Sequence, residues 1–124
     1  MIKSVDDAPR PLADGIREFW PEFEWDNAAS IAWLESGFKW YAVMDSTDAA
    51  HPCGAVLPSQ GGITVTAEVS IGFFQINWCN FPDWDPWRLM DPRENAGTAH
   101  MLWDNAGQSW APWYFSARKL GLLQ

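Results

Sequence analysis

Two short stretches hold residue types that can do acid–base chemistry in a fixed setting: Leu34-Glu35-Ser36-Gly37-Phe38 and Ser70-Ile71-Gly72-Phe73-Phe74-Gln75-Ile76-Asn77. Glu35 falls in the last turn of an alanine-rich helix expected over Asn27 to Ser36, with Gly37 just past its end. A carboxylate is disfavoured there, because the aligned peptide dipoles leave a helix C-terminus negative. A helix shaped for stability alone would carry Lys or Arg at that position, and a broken local rule marks a candidate functional residue. Trp33, Phe38, Phe73 and Phe74 are the apolar side chains expected around it. A carboxyl held among apolar groups keeps its proton to higher pH, which suits it to donate that proton as a general acid. The competing reading is a solvated glutamate at a helix end. In the second stretch, Gly72 allows a close backbone approach or an angle that other residues avoid. Gln75 and Asn77 share a face if the segment is extended, where their amides would bind a ligand or hold the loop together. Ser70 offers a hydroxyl or is an ordinary turn residue.

A Glu-Ser at a helix end followed by Gly-x-x-Gln-Ile-Asn resembles the lysozyme superfamily, which includes animal lysozymes, soluble lytic transglycosylases and phage lysins and tail-associated muramidases. Asp91-Pro92-x-x-Asn95-Ala96 opening a helix, then Trp110-Ala111-Pro112-Trp113, look like the phage branch. The resemblance covers residues 26–115. It implies a lysozyme-like α+β domain, mainly helical, with a small β element around residues 63–76 lining an active-site cleft. It further implies cleavage of the bond between N-acetylmuramic acid and N-acetylglucosamine in bacterial peptidoglycan, with Glu35 as the acid and no cofactor. A phage-encoded protein acting on the host wall, carried in the virion or released at lysis, is the setting that goes with it. Substrate-binding roles then fall to Ser70, Gly72, Gln75 and Asn77. Trp78, Trp113 and Tyr114 are the expected sugar-stacking or cleft-wall positions, with core packing as the competing reading for each.

The chain departs from the animal-type pattern where that group has an aspartate two positions before the glycine, because Ser70 stands there. Glu68 lies two residues earlier and faces the same way in a strand, displaced by ~7 Å. It is the candidate second catalytic carboxylate, with a solvated strand-edge glutamate as the competing reading, and Asp83 and Asp85 are more distant. If Glu68 activates water, the reaction is hydrolysis. If Glu35 works alone, it would resemble the lytic transglycosylases and leave a 1,6-anhydro end. Hydrolysis is the favoured route, because lysozymes are common in the phage-like group and Glu68 is at hand. Two other functions are open: a non-catalytic glycan-binding or virion structural protein, and a glycosidase acting on another amino-sugar polymer such as chitin.

The elements that would position these residues are partly legible. Residues 1–11 are polar, with Pro9 and Pro11, and read as a lead-in arm to a single domain spanning 1–124. A short helix is expected from Leu12 to Trp20, ending before Pro21, with Asp26 as N-cap of the next. Asp45 to Gly62 reads as a long connection, Ile63 to Ala67 alternates like a strand, and Asn80 to Trp87 is expected as a loop. Asp91, Pro92 and Glu94 spell a capping box for a helix with Ala96, Ala99, Trp103 and Ala106 along one stripe and Gly107 at its end. A last helix is expected from Pro112 to Lys119.

Composition bounds the alternatives. The 124 residues are nearly half apolar and carry a net charge of −8, so nucleic acid is an unsuitable partner, since phosphate binding needs a basic patch. No apolar run reaches membrane-spanning length, and the first residues lack the apolar core of a secretory signal. His51 and His100 form no metal-ligand pattern with neighbouring residues. Cys53 and Cys79 are either free thiols or one disulfide closing a loop of roughly 25 residues, worth about 3 kcal/mol. Ten tryptophans are unusual, because each buried indole N–H needs an acceptor.

Overall fold

The computed structural model describes residues 2–46, 56–57, 63–64, 68–81 and 85–123. Among them are five α-helices, two antiparallel sheets and short 3-10 turns, an α+β arrangement dominated by helix.

Helix α1 (Arg10–Phe19) begins at Pro9, with Pro11 in its first turn, and turns Leu12, Ala13 and Ile16 inward. It ends at Trp20, ahead of Pro21 as expected. The preceding residues are no loose arm. Val5–Asp7 form a 3-10 turn closed by a Ser4–Asp7 capping box, and Val5 is buried. The segment is also tied to the next helix: Lys3 N–H donates to Ser30 Oγ (2.7 Å), Ser30 Oγ donates back to Lys3 C=O (3.0 Å), and Val5 N–H donates to Asp26 Oδ1 (2.9 Å).

That last bond corrects the expected cap. Helix α2 spans Trp25–Ser36 with Glu24 at the N-cap position and no side-chain cap. Asp26 lies inside the first turn and serves the N-terminal segment instead. Ala28, Ala29, Ser30, Ile31 and Ala32 are all buried, so small side chains let neighbours close on this helix from nearly every side. Gly37 ends it in the left-handed conformation (φ 62°) and donates its N–H to Trp33 C=O.

Strand β1 (Val43–Ser46) runs into the stretch expected as a connection and pairs antiparallel with β4 (Glu68–Ile71) in the register Val43 to Ile71 and Ser46 to Glu68. Strand β4 turns back into β5 (Ile76–Asn77), with Ser70 opposite Asn77 and Ile71 opposite Ile76. A second, two-stranded sheet joins β2 (Val56–Leu57), also inside the expected connection, to β3 (Ile63–Thr64). The expected strand is described only to Thr64; 65–67 lie outside the described residues, as do His51, Cys53 and Asp83, and so does the side chain of Cys79.

Part of the expected 80–87 loop is structured. Asn80 closes a 3-10 turn, and helix α3 (Pro86–Met90) starts inside the region, N-capped by Asp85, whose side chain accepts from Trp87 N–H. Helix α4 (Pro92–Asn105) follows directly. Asp91 caps it by accepting from Glu94 N–H (3.0 Å), but the reciprocal half of the box is replaced by an ion pair, Arg88 Nε to Glu94 Oε2 at 3.2 Å. Ala96, Ala99 and Trp103 are buried as expected, whereas Ala106 lies past the helix and is exposed. Helices α1 and α4 pack closely, since a Cβ on Gly15 would come within 2.9 Å of Ala96 Cβ. Arg93 clasps Glu18 across that junction with two bonds of 2.8 and 3.0 Å. The chain ends in a 3-10 turn (Ala111–Trp113) and helix α5 (Tyr114–Lys119).

Tryptophans build the centre. Trp20 stacks on Trp110 with ring centroids 4.9 Å apart and planes 3° from parallel, and also meets Phe74 and Trp103. Their N–H groups find acceptors: Trp20 on Ala96 C=O, Trp110 on Glu24 Oε2 and Trp113 on Phe74 C=O. Buried Trp103 Nε1 has no partner among the described residues. An unpaired buried donor costs about 1–3 kcal/mol, so two conservative substitutions should separate. Trp113→Phe strands a carbonyl and Trp103→Phe strands nothing. In urea unfolding, Trp113→Phe should destabilise by at least ~1 kcal/mol more than Trp103→Phe; equal losses would show that the indole bonds contribute nothing.

Candidate active site

Glu35 occupies the last turn of α2, as the sequence indicated, and its carboxylate is partly buried under α5. Its partner is Ser116 of that helix, itself buried (6 % exposed), whose Oγ–H donates to Glu35 Oε2 at 2.5 Å. Burial holds the Glu35 carboxyl above its ordinary pKa, and two weaker influences pull it back: the Ser116 hydrogen bond and the positive charge of Lys119. The carboxyl therefore resists ionisation and yet has a donor ready to stabilise the anion once its proton has left.

The apolar surroundings are not all those expected. Trp33 lies two residues before Glu35, about 200° away around the helix. It pairs with Phe38 (5.1 Å between centroids) and receives the Lys3 ammonium over its face at 4.5 Å. Trp33 and Phe38 thus belong to the side of α2 where the N-terminal segment docks. Phe73 and Phe74 are fully buried in the common core.

The second motif is a hairpin rather than a straight strand, so Gln75 and Asn77 do not share one extended face. Residues 72–75 form the turn between β4 and β5. Gly72 has φ 82°, and a Cβ there would lie 2.4 Å from Asn95 Nδ2 and 2.7 Å from Leu89 C=O. Its close approach is to the protein's own Asn95, and its positive φ is the angle that other residues avoid. Gln75, at φ 50°, donates from Nε2 to Ala42 C=O and Gly72 C=O, both 3.1 Å. Its amide fastens the turn to the start of β1. Ser70 and Asn77 face each other across the β4–β5 pair and remain partly accessible. Glu68 opens β4 opposite Ser46; its side chain lies outside the description. Asp85 is engaged as the α3 cap.

Of the expected sugar-stacking residues, Trp78 is fully buried and Trp113 is 5 % exposed. Both are core residues, because the centre is built from indoles. Tyr114 is exposed at 45 % and packs edge-on against Phe115. Other open rings escaped the sequence reading: Trp40 and Trp87 line a shallow groove of about 460 Å³ with Pro11, Met90, Asp91 and Pro92. His100 packs against Trp20 and Trp103. Among the described residues, no three His, Cys, Asp or Glu side chains group to hold a metal, and no helix is long and apolar enough to cross a membrane.

Two residues that organise the site had little or no signal in the sequence. Ser116 had none, being one hydroxyl on a short helix 81 residues from Glu35. Asn95 was visible only as a motif letter. It is fully buried and donates from Nδ2 to Ile71 C=O (2.9 Å) and Leu89 C=O (2.7 Å), while its Oδ1 accepts from Phe74 N–H (2.9 Å). The chain matches no protein-family model, no curated protein and no solved structure.

Two measurements test this geometry. Asn95→Ala leaves three buried backbone groups unpaired and should cost more than ~3 kcal/mol in urea unfolding. Gly72→Ala should then cost less in the Asn95→Ala background than alone, since one of its two obstructions is gone; strictly additive losses would show that the two residues do not press on each other. The second concerns pH. Above the ordinary carboxylate pKa the unfolded chain ionises Glu35 while the folded chain resists, so the folded state loses stability as pH rises through the raised pKa. Glu35→Gln lacks this titration. Its melting temperature relative to wild type should climb from about pH 4 upward and then level off; a gap constant with pH would mean that burial leaves the carboxyl unshifted.

Proposed function

We propose that this chain is a muramidase with a lysozyme-like α+β fold, probing no further than one carboxyl for its acid: Glu35. The observation that carries the reading is the setting of that group, a helix-end carboxyl raised above its ordinary pKa by burial, with a serine hydroxyl in place to donate to its anion. Cleavage of a glycosidic bond needs a proton on the leaving oxygen as the sugar takes on oxocarbenium character. The order of elements supports it, with the glutamate helix followed by a sheet whose hairpin carries Gly72, Gln75 and Asn77. The substrate is the bond between N-acetylmuramic acid and N-acetylglucosamine in bacterial peptidoglycan, and the setting is a phage-encoded protein acting on the host wall.

After protonation, the route depends on what attacks. With Ser70 where a nucleophilic carboxylate would stand, a covalent intermediate is disfavoured. Hydrolysis assigns water activation to Glu68, two residues before Ser70 in β4. An inverting reaction of that kind needs carboxyls ~6.5–9.5 Å apart. The alternative lets Glu35 take back a proton from the muramic acid 6-hydroxyl, closing an anhydro ring.

Purified cell walls should clear in a turbidity assay, and Glu35→Gln should lower the rate by at least ~100-fold while the fold is retained. Failure of the wild-type protein to clear any wall, or more than a tenth of its rate surviving in Glu35→Gln, would overturn the assignment. Mass spectrometry of the products then separates the routes, since the anhydro end is lighter by one water. A dominant anhydro product with Glu68→Ala fully active would exclude Glu68 as the base.

A further inference from the structure

Resting on that reading of Glu35, the geometry points to Ser116 as a positioning residue, which pins Oε2 of Glu35 so that Oε1 is the oxygen that delivers and recovers the proton. The two carboxyl oxygens are not equivalent. Oε2 accepts a 2.5 Å bond from a hydroxyl that is itself buried on α5, whereas no described side chain or backbone N–H donates to Oε1. A carboxyl free to rotate about its last torsion would present either oxygen, and that torsion is soft. One short bond to a fixed donor removes the ambiguity, and a proton donor must sit within hydrogen-bond reach of its target atom.

The same bond sets the balance between the two forms of the group. Burial favours the neutral carboxyl and the Ser116 donor favours the anion. In the anhydro route, where the acid must also act as the returning base, it works best when neither form is overwhelmingly preferred. Of the charged groups on the elements packed against α2, Lys119 on α5 acts on Glu35 in the direction of the anion. On the N-terminal side, Lys3 lies over Trp33, Asp6 is engaged on Arg17, Asp7 on Ser4 N–H, Asp26 on Val5 N–H and Glu24 on Trp110. Lys119 is exposed, so its pull is screened by salt; the buried hydroxyl is not.

Ser116→Ala tests this with two readouts. Carbon-13 carboxyl titration by NMR, in uniformly labelled protein, should show the Glu35 midpoint moving up in the variant, because a donor to the anion has been removed. That shift should persist in high salt, while the smaller upward shift of Lys119→Gln should fade. In wall lysis, kcat should drop roughly tenfold with KM little changed, and the alkaline limb of the pH profile should move up by the same interval as the NMR midpoint. Ser116→Thr, which keeps the hydroxyl, should restore the wild-type midpoint. An unchanged midpoint in Ser116→Ala, or a loss confined to KM, overturns the proposal. Should the wild-type protein lyse no wall, the muramidase reading fails alone, and the carboxyl titration still decides whether Ser116 governs Glu35.

Discussion

One buried carboxamide fixes much of this molecule. Asn95 spends both of its N–H donors and its carbonyl oxygen on backbone groups from two other parts of the chain: Ile71 and Phe74 in the hairpin, and Leu89 near the end of α3. Ile71 closes strand β4, while Phe74 lies in the turn and Leu89 near a short helix end, where no regular ladder would satisfy them. In a low-dielectric interior such bonds are strong when complete and damaging when incomplete. Gly72 is the necessary counterpart, because any side chain at that position would occupy the space of the amide. Phe74 shows how tightly the turn is gripped. Its N–H goes to Asn95 and its C=O to Trp113, so one peptide neighbourhood is held by two side chains from different helical segments.

The 110–116 stretch connects that turn to the candidate acid. Trp110 stacks on Trp20 and bonds Glu24, Trp113 bonds the hairpin, and Ser116 bonds Glu35. Spaced three apart, these residues recur on one side of a helical segment, so the side that builds the core also reaches the end of α2. This makes the high tryptophan content intelligible. An indole fills volume and offers one donor, and here that donor repeatedly crosses from one element to another. The same use of aromatic area for the core leaves Trp78 and Trp113 unavailable to a ligand; the exposed rings among the described residues are Phe23, Trp40, Tyr41, Trp87, Tyr114 and Phe115.

What was legible in the sequence is what depends on neighbours in the chain. Gly37 as a helix stop, Asp91 as a cap, Pro21 as a boundary and the Ala96, Ala99, Trp103 stripe all follow from local geometry and period. Asp26 misled because an acidic residue near a helix start suits both a cap and a longer-range acceptor, and Val5 N–H claimed it. Helix α3 was hidden by the prolines around it, although Asp85-Pro86 is itself a start signal. Strand β1 carries no clear alternation and is held by its partner β4. In the site, Glu35 stood out by offending a local rule. Ser116 and Asn95 offend none, and their roles exist only through contacts between distant segments. For Trp78 and Trp113 the core reading holds over the ligand reading, a choice the sequence leaves open because the type of a residue does not say which way it faces.

The bond between Glu35 and Ser116 joins the second helix to the last one described, and this gives the site a place in time as well as in space. A chain leaving the ribosome presents α2 long before α5 exists, and domains assemble as their distant parts become available. Until α5 docks, Glu35 is an ordinary solvated carboxylate at the end of a helix, with no cover and no hydroxyl. The cover and the bond that distinguish its final state both need α5 in place, so a chain in which that helix is missing or undocked has neither at this position.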